Sequence, residues 1–150
     1  MTRVVVRDYE PEDYFAIDAQ EFTRGNLTED QKISTSVTHK FAGPHQTILT
    51  PEGDIIACIG IHRMWDGTGE VWGLFSPLMK KYPMAWFAVK KLLKFYQKND
   101  GYRRLQATAR CDWPEAMRLM DHLGFHIEGK LEAYGPWGAD SMMYALVERS

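Results

Sequence analysis

The sequence is poor in features that would mark a special compartment or scaffold. Cysteine is scarce: Cys58 and Cys111 are the only two in 150 residues, far apart and outside any CxxC spacing. Neither a disulfide framework nor a cysteine-based zinc site is therefore expected. No segment resembling a signal peptide precedes them, so the expectation is two reduced thiols in a cytoplasmic protein. No apolar run approaches the roughly 18 residues that a membrane-spanning helix needs, and no membrane partner is expected. An excess of one charge is also missing. Lys and Arg number 18 against 20 Asp and Glu, a formal net charge of −2, which leaves no broad basic footprint for nucleic acid. His122 and His126 straddle a helix end rather than sharing a helical face, so no metal site is expected. Repeats, linkers and low-complexity tracts are absent as well. The length then suits one domain over residues 1–150, able to bury about two thirds of the surface its unfolded chain exposes.

What the sequence does contain is ordered punctuation. Arg3 to Tyr9 is short and β-branched, and Pro11, Glu12 and Asp13 then make an acid-rich first helical turn carrying Tyr14, Ile17 and Phe22. Thr28 and Gln31 form a capping box before a second helix, in which Ile33, Val37 and Phe41 recur every four residues up to Gly43-Pro44. Gln46–Thr50, Asp54–Met64 and Glu70–Ser76 read as a three-stranded meander, separated by Pro51-Glu52-Gly53 and by Asp66-Gly67-Thr68-Gly69. Pro83–Lys98 is the longest helical pattern, with Ala85, Ala88, Val89, Leu92 and Tyr96 on one stripe. Arg104–Arg110 alternates as a strand, and two more strands, His126–Glu132 and Ser141–Val147, flank a Gly/Pro/Trp loop from Tyr134 to Asp140.

The segment from Asp112 to Phe125 is the most informative. Asp112 is placed to accept a hydrogen bond from the Glu115 amide, Pro114 suits a first turn, and Glu115 completes a capping-box pattern. Ala116, Leu119, Met120 and Leu123 follow at helical spacing, Gly124 supplies a left-handed stop, and Phe125 supplies the apolar contact after it.

This order of elements, with three local motifs, resembles the GNAT (Gcn5-related N-acetyltransferase) superfamily along nearly the whole chain. The motifs are Glu70-Val-Trp-Gly-Leu-Phe-Ser-Pro77 leading into Lys80–Ala85 and a helix; Arg104–Ala109 followed by the helix ending Leu-Gly-Phe125; and Glu128-Gly129 with Tyr134, Gly138, Asp140 and Met143-Tyr144. The resemblance implies an α/β (α+β) fold: a mixed, mostly antiparallel seven-stranded sheet flanked by about four helices. Within the superfamily, the Val-Trp-x-Leu strand and the altered loop look most like small proteins of T7-like phages, the group that includes the gene 13 internal virion protein.

The resemblance also implies a site. Backbone groups of Leu74 and Phe75 would meet the pantetheine arm and thioester of acetyl-CoA where a bulge at Gly73 splays the fourth strand; alternatively, Gly73 makes room for a neighbouring side chain. The family's glycine-rich pyrophosphate loop falls on Lys80, Lys81, Tyr82, Pro83, Met84 and Ala85, so its glycines are gone and Pro83 lacks an amide donor. Lys80 and Lys81 either supply the missing charge or form a solvated face. Glu70 and His62 are the candidate bases, the former against an exposed strand-edge reading. The family's tyrosine acid is replaced by Met120 and its asparagine near the start of that helix by Trp113, which leaves Tyr134 as a substitute acid. Cys111 reads as a buried thiol rather than a nucleophile. Thr23–Asn26 and the Tyr134–Asp140 loop, with Trp137, would admit the acceptor. The expected function is acyl transfer from acetyl-CoA to an amine on a small molecule or protein. The alternative is a degenerate GNAT-fold phage protein that has lost the cofactor and acts as a virion component or on a host target.

Overall fold

The structure, a computed structural model, describes residues 3–19, 27–135 and 138–149. Phe22, Thr23–Asn26 and Trp137 lie outside the described residues. The elements follow in the order β1 (Val5–Asp8), α1 (Pro11–Ala16), α2 (Glu29–Phe41), β2 (His45–Leu49), β3 (Ile55–Trp65), β4 (Thr68–Phe75), a 3₁₀ turn (Pro77–Lys80), α3 (Pro83–Asn99), β5 (Arg104–Arg110), α4 (Pro114–His122), β6 (His126–Leu131) and β7 (Ser141–Val147). Among the described residues this is the anticipated architecture: seven strands in the order β1-β2-β3-β4-β5-β7-β6, with four α-helices. The β4–β5 pair is parallel; β1–β2, β2–β3, β5–β7 and β6–β7 are antiparallel. The chain divides into two compact units, Met1–Arg63 with Val71–Leu93 and Met64–Glu70 with Lys94–Ser150.

In the first unit, alternation along β3 and β4 sends Cys58, Trp72 and Leu74 into one cluster with Tyr9, Tyr14 and Ile17, all at most 9% exposed. Burying each large side chain stabilises the unit by about 1.5 to 3 kcal/mol. The start of α1 is pinned by Asp13, which is buried. Its carboxylate accepts from Arg7 (2.7 and 2.9 Å), from the Glu10 amide (2.9 Å) and from Thr47 Oγ1 (2.8 Å). Burial alone would raise its pKa, but these four donors outweigh that and hold it below the usual carboxylate range.

The α2 helix begins as the sequence predicts, with Thr28 Oγ1 accepting from the Gln31 amide (3.1 Å) and Gln31 Oε1 from the Thr28 amide (2.9 Å). Its orientation is a correction. Ile33, Val37 and Phe41, the four-residue apolar series, are exposed, and Ser36 and His39 face inward instead. Polar bonding decides this against hydrophobicity. The buried Tyr9 hydroxyl needs an acceptor and finds the Ser36 carbonyl at 3.0 Å, while Lys40 pairs with Glu10 at 2.6 Å.

In the second unit, β5 and β7 pair from Arg104↔Val147 to Arg110↔Ser141, burying Leu105, Ala107, Ala109, Tyr144 and Ala145. The end of α4 matches its sequence pattern. Gly124 is left-handed (φ 93°), the Phe125 amide donates to the Met120 carbonyl (3.1 Å), the Gly124 amide to that of Asp121 (3.1 Å), and Phe125 is buried. The start of α4 does not match. The cap residue is Trp113, with no side-chain cap, because Asp112 is held by Arg110 in a two-bonded pair (2.9 and 2.8 Å). A nearby guanidinium is a stronger donor than an amide of a forming helix.

Candidate active site

Of the proposed site residues, β3 and β4 carry four. His62 is half-buried near the end of β3, while Glu70, Leu74 and Phe75 lie on β4. Trp72 and Leu74 alternate onto the buried face of the strand, and Glu70, half-buried, lies in the second unit. Burial pushes the Glu70 carboxyl above its ordinary pKa, which makes it a stronger base near neutral pH than a solvated glutamate. Parallel pairing of β4 with β5 runs from Thr68↔Arg104 through Gly69↔Leu105 to Glu70↔Gln106. Gly73 has a local reason: an added Cβ would lie 2.6 Å from the Phe75 ring, so its side-chain space is taken by its neighbour two residues on.

His62 is not alone. Its Nε2 lies 2.7 Å from Nδ1 of His39 on α2, a residue with no motif to flag it in the sequence. The His39 ring stacks on Trp72 with centroids 3.8 Å apart and planes 4° from parallel. Tyr9 and Tyr14 close around it at 6.2 and 5.9 Å. Trp72 in turn lies against Gly60, where a Cβ would meet the indole at 2.6 Å. Burial, with His62 as a second cause, pushes the His39 pKa down to about 3, and burial also lowers that of His62. At neutral pH the pair is therefore two uncharged imidazoles sharing one hydrogen bond. A neutral imidazole can accept a proton, which a protonated one cannot.

The Lys80–Ala85 stretch is built differently. Ser76 Oγ accepts from the Leu78 amide (3.2 Å) and opens the 3₁₀ turn. The amides of Lys81 and Tyr82 donate to the Leu78 carbonyl (3.0 and 3.1 Å), and that of Ala85 to Tyr82 (2.9 Å). With Pro83 lacking an N–H, four of these six positions offer no amide to an outside anion. The side chains of Lys80 and Lys81 are exposed, Tyr82 and Met84 are half-buried, and Ala85 is buried. A diphosphate at this turn would meet lysine charge rather than a nest of backbone donors.

The remaining candidates lie in the second unit. Tyr134 is 57% exposed in the loop between β6 and β7, next to Ala133, whose φ of 52° is held by its amide donating to Asp140 Oδ1 (2.8 Å). Trp113 is half-buried at the start of α4, its carbonyl accepting from Ala116 (3.1 Å). Cys111 is half-buried and Cys58, in the first unit, is buried; among the described residues neither is in a disulfide. Among the described residues no cluster of three His, Cys, Asp or Glu is placed to hold a metal ion, and no helix is long and apolar enough to cross a membrane.

The sequence matches no family model and no curated protein. Solved structures do match, over nearly the full length of both chains. An acetyltransferase of the GNAT family from Bacillus anthracis superposes with a TM-score of 0.73 at 20% identity, covering 98% of this chain and 96% of that one. A mutant of spermidine N-acetyltransferase from Vibrio cholerae gives 0.73 at 14%, covering 96% and 93%. A ribosomal-protein-S5-alanine acetyltransferase from Vibrio fischeri gives 0.71 at 17%, covering 98% and 94%. At these identities the likeness is one of fold, and the fold is that of the GNAT acetyltransferases.

Proposed function

We propose that this chain is an N-acyltransferase that moves an acetyl group from acetyl-CoA to an amine. The observation that carries the reading is His62, kept in its neutral, proton-accepting form, in a fold whose solved examples include N-acetyltransferases. Acetyl-CoA would supply the activated thioester. The β4 amides at Leu74 and Phe75 are the groups that would polarise its carbonyl. Lys80 and Lys81, with Tyr82, Met84 and Ala85 beside them, would hold the diphosphate, by side-chain charge because the turn spends its own amides internally. His62 or Glu70 would take the amine proton, directly or through water. Solvent would return a proton to the thiolate, a leaving group that needs little help.

The test is thiol release from acetyl-CoA with a panel of amines, comparing wild type with His62→Gln and Glu70→Gln. Loss of a general base costs on the order of 10²-fold or more in turnover, without weakening acetyl-CoA binding. If neither variant changes the rate, both lose the role. A second reading has its own support. The internally closed turn, Met120 in place of the acid and Trp113 in place of the asparagine also suit a GNAT-fold protein without catalysis, such as a phage virion component or a binder of a host protein. On that reading neither acetyl-CoA nor CoA binds.

A further inference from the structure

We propose that His39 is a positioning residue: it accepts the Nε2–H of His62 and so fixes His62 in the tautomer whose Nδ1 carries a free lone pair. The inference rests on the reading of His62 as a base.

At 2.7 Å, one proton and one lone pair must lie between the two nitrogens, since two protons would clash and two lone pairs would repel. For two neutral rings only two arrangements satisfy this. In the first, His39 donates from Nδ1, which forces the His62 proton onto Nδ1 as well and leaves that atom unable to accept anything. In the second, His62 donates from Nε2 to His39 Nδ1; both rings then carry their proton on Nε2, and His62 Nδ1 is free. The Nε2–H form is the intrinsically favoured tautomer of a neutral histidine side chain. Both rings adopt it in the second arrangement and neither in the first, so the two preferences act together.

The acceptor is held in place by packing. His39 is 7% exposed and lies flat on Trp72, with Tyr9 and Tyr14 at its edges, and the missing Cβ of Gly60 leaves the indole its space. A flip of the ring would break the bond to His62 inside this packing. When His62 takes a proton at Nδ1, its Nε2–H becomes a charge-assisted donor to the same neutral His39 nitrogen, so the bond strengthens as the charge forms. The proton balance is simple: the amine loses one proton, His62 Nδ1 gains it, and His39 neither gains nor loses one. The role parallels the carboxylate that orients a catalytic histidine, played here by a neutral group.

The measurement is ¹⁵N NMR of the imidazole nitrogens in the wild-type protein at neutral pH, which needs neither ligand nor variant. The expected spectrum has His62 Nδ1 unprotonated and Nε2 protonated, with a scalar coupling across the hydrogen bond to His39 Nδ1. A protonated His62 Nδ1 overturns the proposal. In His39→Leu, which removes the acceptor, His62 is expected to show mixed tautomers, and in His39→Asn, whose amide oxygen can accept in place of Nδ1, the single tautomer should return. Turnover should follow the tautomer, falling about 10- to 100-fold in His39→Leu with the KM for acetyl-CoA unchanged, and recovering in His39→Asn. If His62 keeps a single tautomer in His39→Leu, His39 does not set it. Absence of acetyl transfer from wild type alongside the expected spectrum would sink the functional reading and leave the positioning role supported.

Discussion

The turn at Pro77–Ala85 and the pair of His39 with His62 both belong to the first compact unit, and they deploy polar groups in opposite ways. The turn satisfies its backbone locally, through Ser76, Leu78 and Tyr82, and leaves two lysine ammonium groups in solvent. The imidazole pair joins residues 23 positions apart, one on a helix and one on a strand, and is packed beneath aromatic rings. Exposed lysines contribute long-range, salt-sensitive charge and little to stability. A packed, uncharged pair contributes fixed geometry, and disturbing it disturbs the core. The two regions should therefore respond differently to substitution, pH and salt.

The largest effect is expected from Trp72→Ala. Removing a buried indole that supports His39 and fills the space above Gly60 should cost about 3 to 5 kcal/mol in urea unfolding. A cost below about 1 kcal/mol would mean that the stack is not part of the core. Gly60→Ala attacks the same contact from the other side. Its Cβ would meet the Pro44 carbonyl at 2.5 Å and the indole at 2.6 Å, for an expected loss of about 1 to 3 kcal/mol.

Acid comes next. His39 is lowered in the folded state to about 3, below its unfolded value. Between the two values the unfolded chain binds the proton and the folded chain does not, so stability is fully present above about pH 6.5 and declines as pH falls toward 3. His62, lowered by burial, acts in the same direction. Asp13, depressed by its donors, adds a separate loss below about pH 4, where the unfolded carboxylate takes up protons first. Between pH 7 and 4.5 the raised Glu70 carboxyl acts in the opposite direction to the histidines, so the histidine part is read as the difference in urea unfolding midpoints between wild type and His39→Leu, whose slope should be flatter. An unchanged slope in the variant would contradict a buried neutral His39.

The smallest effect on stability belongs to the turn. Replacing Lys80 and Lys81 together by alanine should change stability by no more than about 0.5 kcal/mol. Acetyl-CoA affinity should nevertheless fall several-fold, and the difference from wild type should shrink as salt is raised. An affinity loss independent of salt would point to backbone contacts instead of charge.

How much of this was readable in the chain depends on whether the determining interaction was local. The capping box at Thr28 and Gln31, the glycine stop at Gly124 and the alternation of Arg104–Arg110 were legible because each is settled within a few residues. The sheet was anticipated through the resemblance to the GNAT family that their order and motifs carry. The α2 stripe misled because Ile33, Val37 and Phe41 have helical spacing, whereas the helix docks through Ser36 and His39 to partners 27 and 23 residues away. Asp112 misled for a related reason, since Arg110 competes for its carboxylate. His62 was singled out as a basic side chain on a strand, but nothing in the spacing of the sequence ties it to His39. The loss of the turn's glycines was plain, yet the closure of its amides by Leu78 and Tyr82 became visible only in three dimensions.

The most direct test of an acyltransferase reading is the thermal unfolding midpoint with and without excess acetyl-CoA, alongside CoA and desulfo-CoA. A ligand of the folded state at about 100 times its Kd adds roughly 2.7 kcal/mol, or a shift of about 5 to 10 °C for a chain of this length. Such a shift is expected with acetyl-CoA, reduced in the Lys80→Ala, Lys81→Ala double variant. No shift at millimolar acetyl-CoA would contradict the acyltransferase reading and leave a GNAT fold that does not bind the cofactor.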